Sequence, residues 1–298
     1  MIKKILVPMG GVSERSRHLD AALGLARRFN AHVDALHAAL DPRDSVAYLG
    51  DGMTGTMISQ VMAAAEKESE ERAAKAKKVF SDTCTELGVA VSDDPTAQGV
   101  AGTATASFRG VAGRQDVLVA HYGRLSDLTV GGRSVTDTSS ALSVALEAAI
   151  METGRPVFVT PPLETEWNPS GHIGRKVALA WSGSPETARA ISFAMPFLRE
   201  AEEVCIVFHG GEHGEPAGAE ELHNYLGWHG IKTAVTSRAS KSDDKTSAGE
   251  SLLAQAEEVG ADLLVMGAFT HSRLRQIIFG GTTRHVMEKS RISLLLAH

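Results

Sequence analysis

The chain is written twice. Lys4-Ile-Leu-Val-Pro-Met-Gly-Gly lies over Lys176-Val-Ala-Leu-Ala-Trp-Ser-Gly at an offset of 172 residues (176 minus 4). That offset persists through the next segment, where Leu19, Leu23 and Ala26 face Ile191, Met195 and Leu198, and on to Leu36-His37 against Phe208-His209. A duplication restricts the fold to one that about half of the 298 residues can build, used as a pair. Further on, Asp116-Val-Leu-Val-Ala-His aligns with Asp262-Leu-Leu-Val-Met-Gly at an offset of 146, which assigns 26 extra residues to the first half (172 minus 146), much of them around 41–56 and in the helix after it. Arg155-Pro-Val-Phe-Val-Thr matches Arg291-Ile-Ser-Leu-Leu-Leu as the last strand of each copy. The polar, proline-bearing stretch between them reads as a linker. The expected domains are 1–161 and 174–298, joined by 162–173.

Each copy alternates short apolar runs with amphipathic segments, the pattern of a parallel sheet covered on both faces. In the second copy strands are expected near Lys176–Trp181, Glu203–Phe208, Lys232–Ser237, Asp262–Met266 and Ser293–Leu296. Helices are expected near Pro185–Leu198, Ala217–Trp228, Ser247–Val259 and Thr282–Ser290. The fold class is therefore α/β, two tandem doubly wound parallel-sheet domains with five-stranded sheets. In such sheets ligands collect beyond the carboxyl ends of the strands, where the winding reverses. In the second copy this brings together Trp181-Ser182-Gly183-Ser184 and the stretch from Gly267 to Thr283.

That second stretch is the most specific in the chain. An apolar strand runs into Gly267, a hydroxyl- and arginine-rich loop, Gly280-Gly281, and then Thr282 and Thr283 opening a helix. Glycines let main chain approach an anion, and the free N–H groups at a helix start point at it. Main-chain groups at Gly267, Thr270, Gly280 and Gly281 would hold phosphates, Thr282 and Thr283 would add hydroxyl donors, and Arg273 would balance charge. A base would lie against Trp181, Ser182 and the Phe208–His209 strand end. Blander readings stand beside these: Gly280-Gly281 as a loop-to-helix turn with Thr282 as its cap, and Trp181 as a core plug rather than a stacking platform.

A net charge of −6 without a basic block argues against a general nucleic-acid or membrane-surface binder. The charged run Glu66 to Lys78 mixes signs at helical spacing and reads as a solvated face of a long helix over 58–87, a cover for the sheet or the partner half. The opening MIKKILVP is too short in its apolar part for a signal peptide, and no window suffices for a membrane helix, so the expectation is a cytoplasmic protein. Cys84 and Cys205 are too few for a disulfide framework. The histidines of His209-Gly-Gly-Glu-His213 lack a second ligand pair, and no metal site is assigned.

KKILVPMGG, RKVALAWSGSPETA and GADLLVMGAFTHSRLRQIIFGGTTRHV together resemble the universal stress protein family in its tandem two-domain form. The resemblance covers nearly the whole chain and implies Rossmann-like domains of the adenine nucleotide alpha hydrolase-like type. Nucleotide-binding members have a fourth-strand loop of form Gly, two residues, Gly, nine residues, Gly, then Ser or Thr. Here Gly267, Thr270, Gly280 and, after Gly281, Thr282 keep that spacing, with Thr270 in place of the second glycine. Where binding members carry an acidic residue after the first strand, this chain has Gly10 and Ser182. In the first half His121 stands opposite Gly267 and Gly131-Gly132 fall at the wrong distance, so that half is expected to carry a degenerate site.

The resemblance implies ATP or a related nucleotide, with Mg2+ as companion ion, in a stress-response sensor that acts on a protein partner. An interaction protein without nucleotide is the alternative. No G-x-S-x-G elbow, Walker lysine motif or G-x-G-x-x-G after a first strand is present, and no acidic residue lies in either loop to hold a metal, so slow ATP hydrolysis is the most that is expected. Relatives pair through their last strands, so Arg155–Thr160 and Arg291–Leu296 would join the halves as an intramolecular pseudo-dimer, leaving a monomer or a homodimer through other faces.

Overall fold

The computed structural model describes residues 1–10, 16–39, 54–94, 103–133, 143–167, 173–209, 218–238, 247–269 and 281–298. They form two compact units, one of Met1–Val130 with Glu147–Thr153 and one of Gly131–Leu146 with Gly154–His298.

The first unit contains β1 (Lys4–Met9), β2 (His32–Ala39), β3 (Ala90–Val91), β4 (Thr105–Ala112) and β5 (Leu128–Gly131) in the order β3-β4-β2-β1-β5, every pairing parallel. Its helices are α1 (Arg17–Phe29), α2 (Gly55–Glu86), α3 (Gln115–Gly123) and α4 (Val144–Glu152). Helix α1 starts because the Ser16 hydroxyl accepts from the Leu19 amide, and it ends where Asn30 turns left-handed (φ 51°). Of α2 only Ala76, Val79, Phe80, Thr83 and Cys84 are buried, so just its last third covers the sheet.

The second unit contains β6 (Val157–Val159), β7 (Lys176–Ala180), β8 (Glu203–His209), β9 (Ala234–Arg238), β10 (Leu263–Gly267) and β11 (Ser293–Ala297) in the order β6-β11-β10-β7-β8-β9. All pairings are parallel except β6 with β11, which sets Phe158 opposite Leu295. The pairing expected between the two last-strand segments is therefore present. Helices α5 (Pro185–Leu198), α6 (Ala219–Trp228), α7 (Ala248–Glu258) and α8 (Gly281–Lys289) alternate with the strands, each within two residues of its expected bounds. Helix α5 has Ser184 as N-cap and proline at its first position, and α7 opens on a full capping box between Ser247 and Glu250.

One expectation is corrected. Asp116–His121 is not the first half's fourth strand but part of α3, with Val117 58% exposed. The place beside β1 belongs to Leu128–Gly131. An apolar run of four residues fits a strand or a helix equally, and the anchoring groups decide between them. Asp127 accepts from the Lys3 and Lys4 amides (2.7 and 3.0 Å), as Asp262 does from those of Gly174 and Arg175 (2.6 and 3.1 Å). The Asp127 and Asp262 amides donate in turn to Lys4 and Lys176 carbonyls. Asp127 thus corresponds to Asp262, an offset of 135 (262 minus 127), and Gly132 rather than His121 takes the place of Gly267 (267 minus 135).

Candidate functional site

Of the residues singled out by the sequence, Trp181, Ser182 and Gly267 stand at the carboxyl ends of β7 and β10, and Gly281, Thr282 and Thr283 open α8. Gly267 closes β10 against the start of α5, where a Cβ would stand 2.7 Å from the Thr187 amide nitrogen and 2.8 Å from Glu186 Cβ. Its missing side chain lets a strand end and a helix start touch. Beyond it Ala268 donates to Ala297, and Phe269 takes a left-handed backbone (φ 59°) with its ring buried. The Phe269 amide donates to Thr283 Oγ1 at 3.3 Å, tying the exit of β10 to the first turn of α8. Thr283 is buried with that oxygen engaged, Thr282 is half-buried, and Gly281 is exposed with open space where a side chain would go. Thr270, Arg273 and Gly280 lie outside the described residues.

Trp181 follows β7, its amide donating to Val207. The half-buried indole lies against Gly218 at the start of α6, where a Cβ would sit 3.3 Å from Nε1. Its buried Nε1–H meets no acceptor among the described residues. Ser182 is exposed.

Three polar side chains line the same strand ends, and of these the sequence names only His209, at the end of β8. Gln255 on α7 is fully buried and donates through Nε2 to the Phe208 carbonyl at the end of β8 (2.9 Å), while its Oε1 has no donor among the described residues. His209, the last residue of β8, has a buried Nδ1 in the same condition. Glu186, in the first turn of α5, pairs through Oε1 with Arg189 (2.9 Å) and holds Oε2 buried without a partner among the described residues. Burial pushes the Glu186 carboxyl up, but its own amide, the Ser184 hydroxyl and the charges of Arg189 and His298 outweigh it and hold the group below its ordinary value. The ring of His298 meets the Ala268 carbonyl through Nδ1 at 3.0 Å. A glutamine inside the apolar stripe of Leu252 and Ala256 was the available signal for Gln255; a glutamate two residues past a Ser cap was the one for Glu186.

The first half has a different arrangement. Arg133, next after Gly132, donates to the Thr160, Met287 and Ser290 carbonyls (3.3, 2.8 and 2.7 Å). Helix α4 opens without a glycine at 143–146.

A family model described as "Universal stress protein family" matches residues 1–100 and 240–298, more than half of the chain. The chain belongs to the universal stress protein family. The matched stretches hold β1 through β3 and α7 through β11. Among solved structures this universal stress protein is similar to one from Archaeoglobus fulgidus DSM 4304, at 17% identity over 99% of this chain and 97% of that one, with a TM-score of 0.65. It is also similar to a functionally unknown protein from Pseudomonas aeruginosa PAO1, at 13% identity over 99% and 92% of the two chains, with a TM-score of 0.54. At these identities the likeness is one of fold. No curated protein matches the chain. No described helix is long and apolar enough to cross a membrane, and no group of three or more His, Cys, Asp or Glu side chains is arranged to hold a metal among the described residues.

Proposed function

We propose that this universal stress protein is a regulatory module that binds a nucleotide, or a ligand with a similar phosphate, at the carboxyl ends of the second unit's strands. The observation that carries the reading is the set of buried polar atoms without partners among the described residues there: the Trp181 Nε1 donor, the Gln255 Oε1 acceptor and His209 Nδ1. A buried polar group left unpaired costs about 1–3 kcal/mol, so such groups are expected to meet a ligand or ordered water. They suit the mixed donor and acceptor edge of a base. The start of α8 supports the phosphate end: the exposed Gly281 and half-buried Thr282 belong to a turn whose amides have no intrahelical acceptor. The ligand would supply the negative charge, and the chain would bind and orient it.

Calorimetric titration with ATP, ADP and AMP tests the reading. Gly281→Asp has room for its side chain and places a carboxylate where phosphate would lie, so it should weaken ATP binding about tenfold or more while leaving the fold intact. Absence of heat with all three nucleotides in the wild type sinks the proposal.

Glu186 favours a second reading, an interaction protein without nucleotide. Its carboxylate, held ionised beside Gly267, repels a polyanion approaching from that side, and Ser182 stands where nucleotide-binding members carry the acidic residue that holds the adenosine end. Glu186→Gln separates the two. Stronger ATP binding in this variant supports a weakened nucleotide site, and continued absence of binding supports the interaction protein.

A further inference from the structure

One face of the first unit's sheet is polar where a parallel sheet ordinarily carries an apolar layer. His32 and Asp34 on β2 lie level with Thr105 and Ser107 on β4, and Lys4 on β1 lies level with His32 on its other side. Residues two apart on a strand share a face, so these five side chains stand together with Arg109 of β4. The guanidinium carbon of Arg109 lies 5.2 Å from the centroid of the Tyr122 ring, which places α3 on this side, over β1 and β2. The opposite face of β4 takes the apolar packing, where Phe108 meets Phe80 of α2 with ring centroids 5.7 Å apart.

His32 spans two hydroxyls of β4. Its Nδ1 is 2.9 Å from Thr105 Oγ1, and its Nε2 is 2.9 Å from Ser107 Oγ. With the ring proton on Nδ1 and donated to Thr105, Nε2 accepts from the Ser107 hydroxyl. That is the pattern of a hydroxyl nucleophile, its base and a third group that orients the base. Burial lowers the His32 pKa and Lys4 and Arg109 add to that, while Asp34 and Asp93 pull the other way, so the ring is neutral and able to take a proton at neutral pH. Asp34 is level with Ser107, has 2% of its side chain exposed, and holds Lys4 Nζ and Arg109 Nε at 3.4 Å each. Two cations are thereby kept beside the hydroxyl. Ser107 is 8% exposed and His32 half-buried, a setting shielded from bulk water that only a small reactant can enter.

We propose that Ser107 and His32 are nucleophile and general base of an acyl-transfer site on the first unit, oriented by Thr105 and taking a small neutral ester. Ser107 Oγ bonds to the acyl carbon as its proton passes to His32 Nε2. The oxyanion so formed gains the field of Lys4 and Arg109, then collapses with cleavage of the ester carbon–oxygen bond, and the alcohol leaves with the proton from Nε2. Water, giving a proton to the same nitrogen, returns the carboxylic acid and free Ser107. A phosphate ester suits the site poorly, because it brings its negative charge to Asp34 before any bond changes, whereas an acyl carbon gains charge only in the transition state.

Treatment of the full chain with p-nitrophenyl acetate, followed by peptide mapping in a mass spectrometer, tests this. An acetyl group should appear on Ser107, faster in the folded chain than in urea, at a rate that rises as His32 loses its proton and then levels off. Ser107→Ala should lose that label while acetylation of lysines continues unchanged. His32→Gln can still hydrogen-bond to the hydroxyls but takes up no proton, and should slow acetylation of Ser107 about a hundredfold or more. Thr105→Val should also slow it, and Thr105→Ser should restore the rate. Unchanged far-ultraviolet dichroism verifies that each variant is folded. Absence of acetyl on Ser107 in the folded wild type overturns the proposal. So does a Ser107 no more reactive folded than unfolded, or a rate indifferent to His32→Gln or Thr105→Val, the outcomes expected of a histidine that merely bridges two strand hydroxyls.

Discussion

At Gly267 a methyl group would stand 2.7 Å from the backbone nitrogen of Thr187, an atom that cannot swing aside as a side-chain end could. Gly267→Ala should therefore lower stability by about 1–3 kcal/mol, read as a lower urea midpoint at unchanged slope. Gly281→Ala, on a helix and facing open space, should instead be neutral or raise stability by up to about 1 kcal/mol. Glycine spacing alone does not separate these two cases, because the chain that crowds Gly267 comes from 80 residues away (267 minus 187). His18 supplies a second test. Burial lowers its pKa from 6.5 to about 4, with the Pro8 carbonyl pulling the other way, while its Nε2 meets the Ser16 hydroxyl at 3.0 Å. The unfolded chain therefore takes up a proton below about pH 6.5 that the folded one refuses until about pH 4. The stability tied to neutral His18 is complete above that window and declines through it by up to about 3 kcal/mol, and His18→Asn should flatten this part of a stability-versus-pH curve.

Between residue and fold lie the element ends. The guanidinium of Arg133 closes the carboxyl end of α8 by donating to Met287 and Ser290, and burial lowers its pKa to about 10, leaving it charged at neutral pH. Arg133→Met would strand three carbonyls and remove a cation from a helix carboxyl end. A loss of about 2–4 kcal/mol is expected in a thermal melt, with part recovered in Arg133→Lys. The second half's elements were legible because each apolar run is bracketed by turn or cap residues, such as Ser184-Pro185 and Ser247 with Glu250. The first half's fourth strand was not. Asp116-Val-Leu-Val-Ala imitates Asp262-Leu-Leu-Val-Met in composition, and only the amides that each aspartate receives reveal Asp127 as the true counterpart. In the candidate site, the orphaned atoms of Gln255, His209 and Glu186 were not legible, since an unpaired atom is defined by what surrounds it in space.

For the whole molecule, β6 matters out of proportion to its three residues. It covers the edge of β11, whose Leu294, Leu295 and Leu296 are fully buried. A fragment of residues 162–298 would leave that apolar edge bare, whereas one of 154–298 would keep it paired. The shorter fragment should scatter light and melt lower than the longer one, by dynamic light scattering and calorimetry; equal behaviour of the two would show that β6 is dispensable.

The twin aspartates carry a consequence for motion. Asp127 fastens the amino end of β1 to the incoming end of β5, and Asp262 fastens that of β7 to the incoming end of β10. At the opposite ends those strands run out into Gly10, Gly132, Trp181 and Ala268, with no aspartate among the described residues to clasp them. Each sheet is thus bound along one margin like the spine of a book. Any breathing that admits a guest must open from the far margin, and hydrogen exchange should see the amides of Lys3 and Lys176 outlast those of Gly10 and Ser182.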